Sequence, residues 1–334
     1  MRTIAIIGGG SWGTALALAL SRSRVAHRLR LWVREEDLAA RMQKTRENDL
    51  FLPGFRVPEE VTVTAKLEEA ADAADLLLSV VPTQFLRAVW QQLGVGLSPS
   101  TLIVSATKGL EKDSLARPSE VIHEVLGPNS ASRLAALSGP SFAREVAAGL
   151  PTAAVIASAN AELARDLQAE LASPALRLYT NSDTIGVEIG GAVKNIIAIA
   201  AGVCDGLQLG TNARAALMTR GLAEITRLAV ACGGRAETLA GLAGLGDLVL
   251  TCTGALSRNR TVGLELAKGR RLKEIVGSMR MVAEGVETTQ VTRALGQKLG
   301  VELPITEQMY RLLFEGQEPG AAVRELMERA LREE

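Results

Sequence analysis

The chain has 334 residues, 47% of them hydrophobic, and its 37 Lys plus Arg balance 37 Asp plus Glu to leave no formal net charge. This composition argues against disorder, allows about two domains, and lacks the basic excess of a nucleic-acid binder. Cys204, Cys232 and Cys252 are odd in number and widely spaced, which argues against a disulfide framework and fits a reducing cytosol.

The chain opens on an unbroken apolar run, residues 4–7, which predicts a parallel strand buried on both faces. Gly8, Gly10 and Gly13 follow it in G-x-G-x-x-G spacing, and residues 14–20 form a helical stretch. The first glycine permits a tight turn, the second lets a pyrophosphate approach, and the third lets helix pack on strand. The helix N-terminus then turns free N–H groups toward the phosphates. A structural turn can match the same spacing; the strand before it and the helix after it favour a dinucleotide site. A strand starting at Ile4 leaves no room for a leader peptide, so a cytoplasmic protein is expected.

Further strands are predicted at residues 28–33, 75–80, 101–105, 134–138 and 152–157, with helical patterns at 35–43, 84–93 and 119–126. This alternation implies an α/β fold whose N-terminal part is a doubly wound, mostly parallel Rossmann domain. Ligands in that architecture bind beyond the carboxyl ends of the strands. From about Tyr179 onward the strand signals cease, and an all-α domain is expected. We place the division at 1–182 and 183–334, with the active site in the cleft between them. The most apolar stretch, residues 185–204, contains Glu188, Lys194 and Asn195 and therefore reads as a buried helix rather than a membrane span.

Several residues stand where chemistry is possible. Arg34 occupies the place, roughly 20 residues past the glycines, where an NAD-type fold carries an acid for the ribose hydroxyls. Its guanidinium suits a 2′-phosphate, though an exposed arginine at a strand end would look the same and Glu35 stands beside it. Lys194 is flanked by apolar residues. Burial would lower its pKa into the range of a general acid or base; snorkelling or a salt bridge to Glu188 is the alternative. Lys108 and the Gly139-Pro140-Ser141 turn leave strand ends, as ordinary turns also do. Asp247 can serve chemistry or cap a helix. Ser257, Arg258 and Asn259 precede a helix expected to begin near Thr261, which suits a phosphate but equally a solvated basic loop. The two histidines, His27 and His123, cannot build a triad or a metal cluster. A hydride-transfer enzyme here must therefore use lysine as its acid–base, and no metal site is expected.

Taken together, these residues resemble bacterial-type NAD(P)-dependent glycerol-3-phosphate dehydrogenase. The resemblance is carried by the blocks at residues 8–17, 48–54 (Asn-Asp-Leu-Phe-Leu-Pro-Gly), 106–110 and 138–143, then by those at 190–195 (Gly-Gly-Ala-Val-Lys-Asn), 212–217, 243–248, 257–260, 282–285 and 303–306. It implies that Lys194 is the proton acceptor for the C2 hydroxyl of sn-glycerol 3-phosphate, with Lys108 and Asp247 beside it. It places Lys108, Gly139, Ser141, Lys194, Asp247, Ser257, Arg258 and Asn259 at the substrate. Ser11, Trp12, Arg34, Lys108, Ala143, Arg258, Val282 and Glu284 would line NADP or NAD. Ser141 stands where relatives often carry threonine, which keeps the hydroxyl. The resemblance also implies a product that feeds glycerophospholipid synthesis, and the apolar helical part is compatible with a homodimer. Two rivals stay open: a dehydrogenase of hydroxyacyl thioesters or hydroxy acids, and a non-catalytic dinucleotide sensor. A sensor has no need for Lys194 to face Lys108 and Asp247.

Overall fold

The computed structural model describes residues 1–279 and 283–329. Among them, eight strands form one sheet: β1 (Arg2–Ile7), β2 (His27–Trp32), β3 (Val61–Thr64), β4 (Leu76–Ser79), β5 (Leu102–Ser105), β6 (Leu134–Ser138), β7 (Thr152–Ala157) and β8 (Leu176–Asn181). Their spatial order is β3-β2-β1-β4-β5-β6-β7-β8. Every neighbouring pair is parallel except β6 and β7. The first six strands thus follow the doubly wound order, with its reversal between β1 and β4.

Alternation along β1 shows why this sheet carries helices on both faces. Ile4 and Ile6 join one core cluster with Leu16 and Leu20 of the helix Ser11–Ser21. Ala5 and Ile7 point the other way and join Leu86 and Trp90 of the helix Thr83–Gly94. Strands β3 and β8 were not anticipated from sequence. The former is a four-residue strand, and the latter alternates buried Leu176 and Leu178 with exposed Arg177 and Tyr179. Strand signal therefore runs on to Asn181, slightly beyond the expected end.

After β8 the described chain is helical, built around Thr184–Gly206. Every residue of that helix from Gly186 to Cys204 is buried. It is long and apolar enough to cross a membrane, yet its apolar window lies wholly inside the protein. The helix Arg258–Ala267 packs on it at backbone distance: a Cβ on Gly263 would lie 1.9 Å from the Ile199 carbonyl oxygen. An ion pair ties the central helix to the sheet half. Glu188 accepts from Arg117 at 2.7 Å and from the Ser119 amide and hydroxyl at 2.8 and 2.6 Å. Glu188 is thus the partner of Arg117 rather than of Lys194.

Candidate active site

The glycine turn has the shape its spacing predicts. Gly8 adopts φ +125°, and a Cβ there would lie 2.7 Å from the Val80 carbonyl oxygen. A Cβ on Gly13 would lie 1.9 Å from the Gly8 oxygen, so strand and helix meet at backbone contact. Gly10, by contrast, faces open space. The helix starting at Ser11 has no side-chain cap, so its N–H groups remain for an anion. The Trp12 indole N–H beside this turn is buried without a partner. A tightly packed turn with one open glycine and uncapped amides fits the pyrophosphate of a dinucleotide.

Arg34, just past β2, reaches Glu35 Oε1 through Nε at 3.2 Å and Nη2 at 2.8 Å. Its guanidinium also lies over the Phe85 ring, 5.3 Å from the centroid. The Arg34 side chain is 61% exposed, open to a 2′-phosphate but engaged by an acid. Ala143 opens the helix Ala143–Ala148 and packs against the same core as Trp12. Val282 lies outside the described residues.

The catalytic candidates converge. Lys194, in the middle of the central helix, donates through Nζ to Asp247 Oδ1 and to Thr251 Oγ1, the latter at 2.9 Å. Lys108 arrives from the turn after β5 and donates to Asp247 Oδ2 at 2.8 Å and to the Gly139 carbonyl at 3.1 Å. Ser141 Oγ donates to that same carbonyl at 2.9 Å. One buried carboxylate therefore holds two lysines, one from each half of the chain. A π-helical turn, Leu242–Gly246, precedes Asp247 and is pressed onto the central helix, where a Cβ on Gly190 would lie 2.7 Å from the Ala243 oxygen. Such turns break helical register and re-aim side chains. Asp247 begins the helix Asp247–Thr253, but its carboxylate serves the two ammonium groups.

The electrostatics follow from burial and pairing. Burial pulls the Lys194 ammonium down to about 8, Asp247 opposes that fall, and Lys108 adds to it. Burial alone would raise the Asp247 carboxyl; Lys108 and Lys194 outweigh it and hold the group below the usual range. Glu284, which opens the helix Glu284–Leu299, is raised by burial against the charges of Arg258, Lys108 and Lys194. The charges of Arg258, Lys108 and Lys194 thus all act on the Glu284 carboxyl.

The helix expected near Thr261 begins at Arg258, three residues earlier. Ser257 is its N-cap, with Oγ accepting from the Arg260 amide at 3.2 Å. The cap reads weakly in sequence because the apolar periodicity starts only at Val262. Asn259 is buried and accepts from the Gly285 amide through Oδ1 at 3.0 Å, which fastens this helix start to that of Glu284–Leu299. Arg34 makes its contacts elsewhere, with Glu35 and Phe85. Thr251 was not anticipated; its signal was the one-turn spacing from Asp247. No group of three or more His, Cys, Asp or Glu side chains that could hold a metal ion gathers among the described residues.

The comparisons with known proteins span nearly the whole chain. The family profile for the N-terminus of NAD-dependent glycerol-3-phosphate dehydrogenase matches residues 3–164, and the one for its C-terminus matches residues 183–324. A glycerol-3-phosphate dehydrogenase [NAD(P)+] of Koribacter versatilis is 56% identical over 330 residues, 98% of either chain. The crystal structure of glycerol-3-phosphate dehydrogenase from Coxiella burnetii superimposes with a TM-score of 0.92 at 45% identity, over 98% of this chain and 99% of its own. The enzyme of Saccharomyces cerevisiae gives a TM-score of 0.83 at 26% identity, over 98% of this chain and 99% of its own. The chain belongs to the NAD-dependent glycerol-3-phosphate dehydrogenase family.

Proposed function

We infer that this protein catalyses the reversible NAD(P)H-dependent reduction of dihydroxyacetone phosphate to sn-glycerol 3-phosphate. The observation that carries the chemistry is the convergence of Lys194, Lys108 and Asp247 at the junction of the sheet and the helices. A bound nicotinamide dinucleotide supplies the hydride. Lys194, held by Asp247 and Thr251, gives its proton to the C2 oxygen as C2 is reduced, and takes it back from the C2 hydroxyl in oxidation. An ammonium beside the developing alkoxide is the electrostatics this transition state requires. Lys108 adds a second positive charge and keeps the Asp247 carboxylate ionised between two cations. Arg258 suits the substrate phosphate, with Ser257, Asn259, Gly139 and Ser141 shaping its surroundings. A non-catalytic dinucleotide sensor would need none of this convergence.

The same reading assigns residues 1–182 to the cofactor and 183–334 to the substrate, with the product supplying glycerophospholipid synthesis. Three free cysteines support a cytoplasmic setting. A homodimer is part of the same proposal. The test is oxidation of NADPH or NADH that depends on added dihydroxyacetone phosphate. Cofactor that binds but is never oxidised with this substrate would move the assignment to another substrate or to the sensor.

A further inference from the structure

The block at residues 48–54 has no part in the chemistry described so far, yet it carries a fully buried polar side chain. Asn48 is 0% exposed, and its amide reaches into the back of the glycine turn. Nδ2 donates to the Gly9 carbonyl and to Thr14 Oγ1, both at 2.8 Å, while Oδ1 accepts from the Phe51 amide at 3.0 Å. The orientation is set by chemistry, because a carbonyl only accepts and a backbone amide only donates. On its other side Gly9 is pressed against β2's continuation, where a Cβ would lie 2.5 Å from Val33 Cγ2.

We propose that Asn48 is the positioning residue of the pyrophosphate turn. It fixes the Gly9 peptide from behind so that the turn presents Gly10 and the first helical amides to the cofactor. This role presupposes that the turn is the dinucleotide site. Gly8 is fixed against Val80, Gly13 against Gly8, and Gly9 between Val33 and Asn48. Gly10 alone faces open space, so the turn is held everywhere except where a phosphate would sit. The loop that carries Asn48 is itself pinned. Glu47 accepts from the Gly54 amide at 2.7 Å, Arg46 donates to the Val61 carbonyl at 2.8 Å, and Arg144 donates to the Pro53 carbonyl at 3.3 Å. Asparagine is specifically required. Aspartate has the same shape but places an acceptor against the Gly9 carbonyl and a negative charge behind the phosphates.

The experiment measures dissociation constants of NADPH and NADH by calorimetry for the full-length protein, Asn48→Asp and Thr14→Val. Steady-state kinetics accompany it. Asn48→Asp should weaken both cofactors about ten-fold or more, the scale of an unmet buried hydrogen bond. The loss should appear in KM for the cofactor rather than in kcat at saturating cofactor or in KM for dihydroxyacetone phosphate. Thr14→Val removes one of the two acceptors without altering Asn48, and should give a smaller loss of the same kind. It also decides the matter should Asn48→Asp fail to fold. Unchanged cofactor affinity in the folded variants would overturn the proposal, as would losses spread equally over kcat and both KM values. Failure of the unaltered protein to bind either dinucleotide would instead overturn the reading of the turn itself.

Discussion

Lys194 is buried within an apolar helix and paired with the Asp247 carboxylate, and both facts bear on its protonation. With its ammonium pulled down to about 8 by burial, reduction and oxidation should respond to pH in opposite senses. Reduction needs the protonated lysine, so its rate should fall as pH rises through about 8; oxidation needs the neutral amine and should rise over the same interval. Rates in both directions between pH 6 and 10 check this, and parallel profiles would remove Lys194 from the proton path. Arg258→Ala should raise KM for the triose phosphate about ten-fold or more through loss of a charge-assisted phosphate contact. An unchanged KM would take Arg258 away from the phosphate. Arg34→Asp should cut NADPH affinity far more than NADH affinity, since only the former carries a 2′-phosphate. Equal losses would show that the Arg34–Glu35 pair sits outside that subsite.

At the scale of elements, legibility in the sequence followed the strength of the local pattern. β1 and its turn were readable because a strand buried on both faces is a continuous apolar run and the glycines sit at fixed spacing. Leu134–Ser138 and Thr152–Ala157 were read at their observed bounds for the same reason. β3 hides because Val61–Thr64 alternates valine with threonine instead of running apolar as the equally short β4 and β5 do. It also directly follows a loop held by side chains, Arg46 and Glu47 among them. β8 hides because an edge strand with one wet face mixes Arg177, Tyr179 and Asn181 into its apolar signal. Close helix packing is equally silent in sequence, since a glycine in a helix does not name its neighbour. Gly263→Ala would drive a methyl group into the Ile199 carbonyl and should destabilise the protein by about 1–3 kcal/mol. Thermal unfolding checks this, and an unchanged midpoint would mean that the two helices separate freely.

Across the whole molecule, the site exists because two halves of the chain meet at buried charges. Lys108 and Asp247 are 139 residues apart in sequence, and no spacing rule predicts that they touch. The residue types were legible, and the resemblance set Lys108 and Asp247 beside Lys194, but the contacts themselves were not legible, and neither were Thr251 or the turn-holding contacts of Asn48. A second buried pair, Arg117–Glu188, links the halves away from the chemistry, with the Glu188 side chain 3% exposed. Glu188→Ala removes one of the two carboxylates on Arg117, Glu120 keeping the other, and should cost about 1–3 kcal/mol. Denaturant unfolding measures it; a loss near zero would show that the halves stay together without this link.

The decisive experiment compares the unaltered protein with Lys194→Ala in dihydroxyacetone phosphate-dependent oxidation of NADPH and NADH, at cofactor concentrations shown by calorimetry to saturate both proteins. Triose phosphate-dependent turnover is expected in the unaltered protein, and a loss of about 10²–10⁴ in kcat in the variant, with cofactor affinity retained. A variant that turns over at a near-normal rate would rule out Lys194 as the proton donor and acceptor.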